Sequence, residues 1–343
     1  MMPIKIGVLD QSPIVSGHTP AQAVRETIRL AQRAEELGYS RYWLAEHHSL
    51  AALADPCPEI LVTRVAAETS SIRVGSGGVL LPYYSAMKIA EQFRMLEALY
   101  PGRIDLGIGR APGGDPMTAL AVAEGRPTGA EDFPRQVQYL VAYLADDLPA
   151  DHPLHAVKAM PRGETMPEVW LLGSSDYSGA LAARLGLRFA FAQFISASGG
   201  DVVMRDYRRT YEPSAREAVP HSLLCAFVIC AETQGEAERL SAAINLRRLN
   251  TDYGVNAPVP SSAEAAAYPY TPADLRRIAH HGRRLVLGTP QVVRARLLAL
   301  KDESAADELM IVTITGDYDS RIRSYELVAE AFDLRSENSP HAT

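Results

Sequence analysis

Cysteine is scarce in this chain: only Cys57, Cys225 and Cys230 in 343 residues. They form no CxxC pair and their number is odd, which argues against a disulfide framework and leaves them as buried thiols. Long apolar runs are missing too. None reaches the roughly 18 residues of a membrane span, and the N-terminal MMPIKIGVLD enters a strand-like pattern without the marks of a secretory signal. A cytoplasmic protein is expected. Nor is there a surplus of cations: 34 Lys and Arg stand against 41 Asp and Glu, a net charge of -7 that offers no footprint to a nucleic-acid backbone.

What the chain does have is alternation. Short β-branched or aromatic runs recur at IKIGVL (4–9), RYWLA (41–45), IRVGSGGVLL (72–81), IDLGIGR (104–110), EVWLLGS (168–174), LRFAFAQF (187–194), SLLCAFVICA (222–231) and DELMIVTIT (307–315). Amphipathic stretches separate them early in the chain. The first opens at Pro20, where a missing N–H costs nothing, and stops at Gly38; others are expected near 58–69 and 84–99. Eight apolar strands in βα order predict an α/β fold of the (β/α)8 barrel type, with a doubly wound sheet as the competitor.

One segment breaks the rhythm. Residues 251–284, rich in Pro, Ala, Ser and Tyr, form an insertion before the last strand. A connection this long without regular structure is functional or disordered, and it is expected to lie over the barrel mouth as a lid or to be a plain surface insertion. The whole chain then reads as one domain over 1–335, with 336–343 a flexible tail.

In such a barrel the active site lies at the C-terminal ends of the strands. Those ends are polar or glycine-rich here: Asp10, Gln11 and Ser12; Glu46, His47 and His48; Ser76, Gly77 and Gly78; Gly109 and Arg110; Gly173, Ser174 and Ser175. A metal site is not expected, because adjacent His47 and His48 point to opposite sides of a strand and no other histidine stands at a strand end. Arg110 in GIGRAPGGD and the two serines of LLGSSDYSG, placed where a helix begins, make a plausible phosphate cradle; Ser175 and Asp176 could equally be helix caps. The consecutive glycines of VGSGGVLLP suggest the close approach of a flat ligand, with a bulge as the bland alternative.

Taken together, WLAEHH, VGSGGVLLPYYSAMKIAEQFRMLEALYPGRIDLGIGRAPGG, LLGSSDYSGALAARLG and LVLGTPQVVRARLLAL, in this order, resemble the bacterial luciferase-like flavin monooxygenases, in the branch with LDQSP on the first strand. The resemblance covers residues 4–332. It implies oxidation of a small organic substrate by reduced FMN (FMNH2) and O2 through a peroxyflavin, a separate flavin reductase, and a homodimer formed through helices flanking the second and third strands. It also implies His47 as the active-site histidine, a cis peptide between Gly77 and Gly78 behind the flavin, and Arg110 and Ser175 as phosphate ligands with Ser174 and Tyr177 beside them. Glu46 or His48 is expected to set the tautomer of His47, which would act as acid or base near neutrality. Tyr83, Tyr84, Phe194 and the lid are expected to line the substrate's space. Gly109 stands where luciferase has its reactive cysteine, so light emission is not expected. The alternatives are a deazaflavin- or FMN-linked hydride-transfer enzyme and a non-catalytic FMN-binding protein.

Overall fold

The apolar runs become parallel strands in the computed structural model, which describes residues 4–125, 131–196 and 198–334. They are β1 (Ile6–Asp10), β2 (Arg41–Leu44), β3 (Arg73–Leu80), β4 (Ile104–Gly109), β5 (Glu168–Gly173), β6 (Arg188–Ala192), β7 (Ser222–Cys230), β8 (Leu285–Gly288) and β9 (Glu308–Val312). Strands β1 to β6 pair in chain order, β6 pairs with β7, β7 with β9, and β9 returns to β1. The ring is closed. This is the expected (β/α)8 barrel, and closure rules out the doubly wound alternative. The short β8 is not among the expected strands. It lies outside the ring, paired only with the far end of β7 from Phe227 to Cys230, and its four residues are too few to show a period.

Helices follow where punctuation predicts them. Thr19 and Gln22 form a reciprocal capping box at the start of Pro20–Glu36, and the next two helices run Pro58–Ala67 and Ala86–Leu99. The 251–284 segment differs from the irregular connection expected. It holds two helices, Ser262–Ala267 and Pro272–Gly282, each started by a capping box, at Ser261 with Glu264 and at Thr271 with Asp274. The tail 336–343 lies outside the described residues. No described helix is long and apolar enough to cross a membrane.

Because successive strand residues point to opposite faces, the chain builds two cores. Outward residues such as Val8, Tyr42, Val74 and Leu171 pack under the helices. Inward residues, among them Leu9, Trp43, Trp170, Cys225, Phe227 and Met310, fill the barrel. Below these, at the N-terminal ends of the strands, the filling is ionic: buried Arg41 joins Glu308 at 2.9 Å and Asp105, whose other oxygen takes Arg73 at 2.6 Å. This plug closes the bottom of the barrel, so access to its interior is from the top.

Candidate active site

At the top, a cavity of about 390 Å³ opens among the strand ends, within the roughly 300–1,000 Å³ of small-molecule sites. Its wall is apolar where Leu9, Trp43, Leu172, Phe191 and Met310 reach it from below. Of the expected residues, Glu46, His47, Gly77, Gly78, Arg110, Gly173, Ser174 and Ser175 all line it.

The loop after β2 is held by backbone bonds to three neighbours. Ala45 N–H donates to Asp10 O at 3.0 Å, His47 N–H to Asp55 O at 3.0 Å, and His48 N–H to Gly113 O at 2.9 Å. Glu46 anchors it from within. One carboxylate oxygen accepts the Leu80 N–H at 2.8 Å at the end of β3; the other accepts from Tyr84 Oη at 2.6 Å and lies 2.7 Å from His48 Nε2. The expectation that Glu46 or His48 sets the tautomer of His47 therefore fails, because both are engaged with each other. His47 Nδ1 instead lies 3.3 Å from the Ala45 carbonyl, its own backbone two residues back, which puts the proton on Nδ1 and leaves Nε2 unprotonated. Burial, reinforced by the charge of Arg247, pushes the imidazole down to about 4. His47 is thus a neutral base at pH 7, not a group poised between two forms. His48 stands outside the cavity wall, its ring edge-on to Tyr83 with centroids 6.2 Å apart.

The Gly77–Gly78 peptide is cis, as the resemblance implies. A Cβ on Gly77 would come 2.6 Å from Leu9 Cδ1 and 2.9 Å from Trp43 Cβ, and one on Gly78 would come 2.7 Å from Gly107 O. Only glycine fits the packing here, and its lack of a side chain keeps the cavity floor flat.

Across the floor, the β4 and β5 ends supply groups suited to an anion. Arg110 is exposed and forms no ion pair among the described residues; its guanidinium carbon sits 4.1 Å from the centroid of the Tyr177 ring, which supports it from outside the cavity wall. Ser175 occupies the N-cap position of helix Asp176–Arg184, yet its hydroxyl makes no capping bond. The cap reading is thereby set aside for the Ser175 side chain, and a hydroxyl is left beside the positive end of a helix dipole. Asp176 takes the Tyr177 N–H at 2.8 Å. These residues fit a phosphate, and the flat floor between them and His47 fits a planar ring.

The lining also differs from expectation. Phe194 lines the cavity, but Tyr83 and Tyr84 are turned away, to Pro112 O at 2.7 Å and to Glu46. No residue of 251–284 reaches the wall. That segment is tied instead to the loops after β1 and β2: Val259 exchanges backbone bonds of 2.8 Å with Ile14 and Ser16, and Asn256 bonds Ser49 O and Ala51 N at 2.8 Å. Gln11, named only as a strand-end residue, enters the wall, and so do Trp43, Cys225 and Met310, which were not singled out. The signal is the strand parity, since Leu9 and Gln11, or Trp43, Ala45 and His47, share one inward face.

A model of the luciferase-like monooxygenase family matches residues 4–308. The crystal structure of apo-MsnO8 superposes with a TM-score of 0.89 at 41% identity, covering 96% of this chain and 99% of that one. N-acetyl-S-alkylcysteine monooxygenase of Bacillus subtilis (strain 168) is 35% identical over 96% of this chain and 98% of its own. A type II Baeyer-Villiger monooxygenase, the oxygenating constituent of 3,6-diketocamphane monooxygenase from Pseudomonas putida in complex with FMN, shares the fold with a TM-score of 0.72 at 20% identity, covering 96% and 97%.

Proposed function

We propose that this chain, which belongs to the luciferase-like monooxygenase family, binds reduced FMN and uses O2 to oxidise a small organic substrate. The observation that carries the reading is one cavity with a flat glycine floor, an arginine without an ion pair among the described residues and an uncapped serine on one side, and a neutral histidine on the other. The FMN held by the Baeyer-Villiger neighbour and the N-acetyl-S-alkylcysteine oxidised by the B. subtilis relative agree with it.

Arg110, Ser174 and Ser175 hold the phosphate, with Tyr177 steadying the guanidinium. Gly77 and Gly78 admit the ring against Leu9 and Trp43, whose apolar surfaces keep water from its lower face. Reduced FMN supplies two electrons to O2, so that one oxygen atom passes to the substrate and the other leaves as water. His47 accepts a proton at Nε2 and returns it, and its low basicity makes it a quick donor once charged. Glu46 and His48 position the loop that carries it. The 251–284 segment is a fixed cover over the β1 and β2 side, since its hydrogen bonds leave little for a hinge. A reductase supplies the flavin. A second copy of the chain covers Ile60, Met95, Leu99 and Met160, which stand exposed on or beside the helices flanking β3.

An anaerobic titration tests the reading. Reduced FMN is expected to bind, and Arg110→Ala to weaken it by about 10- to 100-fold, as for a charge-assisted phosphate contact, while riboflavin changes less than about twofold. With isotope-labelled O2, one label atom is expected in the product. Equal loss for FMN and riboflavin removes Arg110 from the cradle; no binding of reduced FMN overturns the assignment; tighter binding of a deazaflavin with no label transfer turns it to hydride transfer.

A further inference from the structure

The helix Gln234–Asp252 follows β7. Leu240, Ala243 and Ile244 form the face buried in the barrel's inner core. At helical spacing the next position on that face is Arg247. An apolar stripe thus ends in a guanidinium that stands beside the inner core and outside the residues lining the cavity.

Arg247 has no hydrogen bond or ion pair to any described residue through its side chain, and its charge is felt at His47. Its neighbour Arg248 lies 4.8 Å from the centroid of Phe227, the inward residue one step above Cys225 in the cavity wall, and makes only a 3.4 Å contact to His281 O. A third arginine, Arg284, donates to the carbonyl of Ile195, itself a wall residue, at 3.1 Å. The nearest acid along the helix, Asp252, is occupied by His281 at 2.8 Å and Arg277 at 3.9 Å. Burial depresses both Arg247 and Arg248 to about 10, and for Arg248 the charges of Arg284 and Arg247 add to the effect. Two desolvated cations side by side with no counter-charge are unfavourable unless a ligand supplies one.

Resting on the proposed reading of this cavity as the oxidation site, we propose that the substrate is a small organic acid whose carboxylate is held by Arg247 and Arg248 on the β7 side of the mouth. Its apolar body reaches down to Phe194, Leu223 and Met310. This acid site is separate from the phosphate cradle, which lies between β4 and β5 across the ring.

The test uses phenylacetate and its neutral isostere phenylacetamide as probes, with binding to the full chain followed by ligand-observed NMR at fixed ionic strength, with and without FMN. The acid is expected to bind about tenfold more tightly than the amide, as for a charge-assisted pair. Arg247→Gln and Arg248→Gln are each expected to erase that preference while leaving FMN affinity unchanged, which also shows that they fold; Arg247→Lys is expected to restore part of it. In Arg110→Gln the preference persists. Equal affinity of acid and amide overturns the proposal, as does a preference lost with Arg110 and kept without Arg247 and Arg248. If the acid preference behaves as expected but FMN does not bind wild-type protein, the acid site stands and the flavin reading falls.

Discussion

Asp55 and His47 titrate in opposite senses within the same pH range, and the structure sets both magnitudes. Asp55 is 3% exposed, with one carboxylate oxygen bonded to the Cys57 N–H at 3.1 Å and the other buried without a partner among the described residues. Burial raises it from its ordinary 3.8 to about 7. At about 1.4 kcal/mol per pH unit the gap is worth about 4 kcal/mol. Because the folded value is the higher one, this stability is fully present below pH 3.8 and lost as pH rises through 7. His47 has its folded value lowered from 6.5 to about 4, a gap worth about 3 kcal/mol. It imposes no cost above pH 6.5, and stability is lost as pH falls through 4. In the wild type the two opposing pH dependences nearly cancel between about pH 4.5 and 7.5, because one cost grows as the other fades, and variants separate them. Asp55→Asn, which keeps the acceptor for Cys57, is expected to be more stable than wild type by a few kcal/mol at about pH 7.5 and to lose that gain on acidification. His47→Gln is expected to gain stability relative to wild type over the same acidification. Urea midpoints at three pH values, with the denaturant slope held constant as a check, give the answer. Parallel pH profiles for all three proteins would refute the reasoning, since both groups would then titrate as they do in water.

Two further outcomes rest on packing at the two ends of the barrel. Gly77→Ala, whose Cβ would press on Leu9 and Trp43, is expected to cost about 1–3 kcal/mol and to weaken FMN binding together with riboflavin, read from the melting temperature and a flavin titration. Glu308→Gln leaves Arg41 without a main partner and is expected to cost about 3 kcal/mol in urea unfolding at pH 7. Although burial alone would raise Glu308, the His221 hydrogen bond and the charge of Arg41 hold it down to about 2; its contribution is present above pH 4.5 and lost as pH falls toward 2, so the variant's deficit shrinks in that range.

The barrel and the outline of its site were legible because both follow from period and position. Alternation of apolar runs with amphipathic stretches leaves few closed solutions, and a closed ring puts every strand end on one face, so Glu46 to His48, Gly77 and Gly78, and Arg110 had to meet. What each group does there was not legible. Beyond Leu44 the chain leaves the strand, so no periodicity says that Glu46 turns to Leu80, Tyr84 and His48 while His47 is left to its own backbone. Burial, not the residue type, moved His47 away from neutrality. Cys225 and Met310 could have been found from strand parity within their apolar runs, and Gln11 by carrying that parity two residues past Leu9. Arg247 could not, because a charged residue on a long helix ordinarily points to water, and only the inward turn of Leu240, Ala243 and Ile244 shows that this one does not.

The distribution of charge differs between the two ends of the barrel. At the lower end of the barrel the ions are matched: Arg41 with Asp105 and Glu308, Arg73 with Asp105, Arg188 with Glu168 and Glu217, His221 with Glu308 at 2.9 Å. On the outer side of β1, Asp10 is matched by Arg321 at 2.6 Å. Yet around the cavity, among the described residues, Arg110, Arg247 and Arg248 have no carboxylate, Asp55 has no cation, and His47 has lost its charge. Buried groups left unmatched, such as Arg247, Arg248 and Asp55, cost stability in the empty protein. The two arginine groups lie on separate arcs of the ring, so one anion cannot satisfy both. A phosphate between β4 and β5 and an acid beside β7 would satisfy each, with His47 between them.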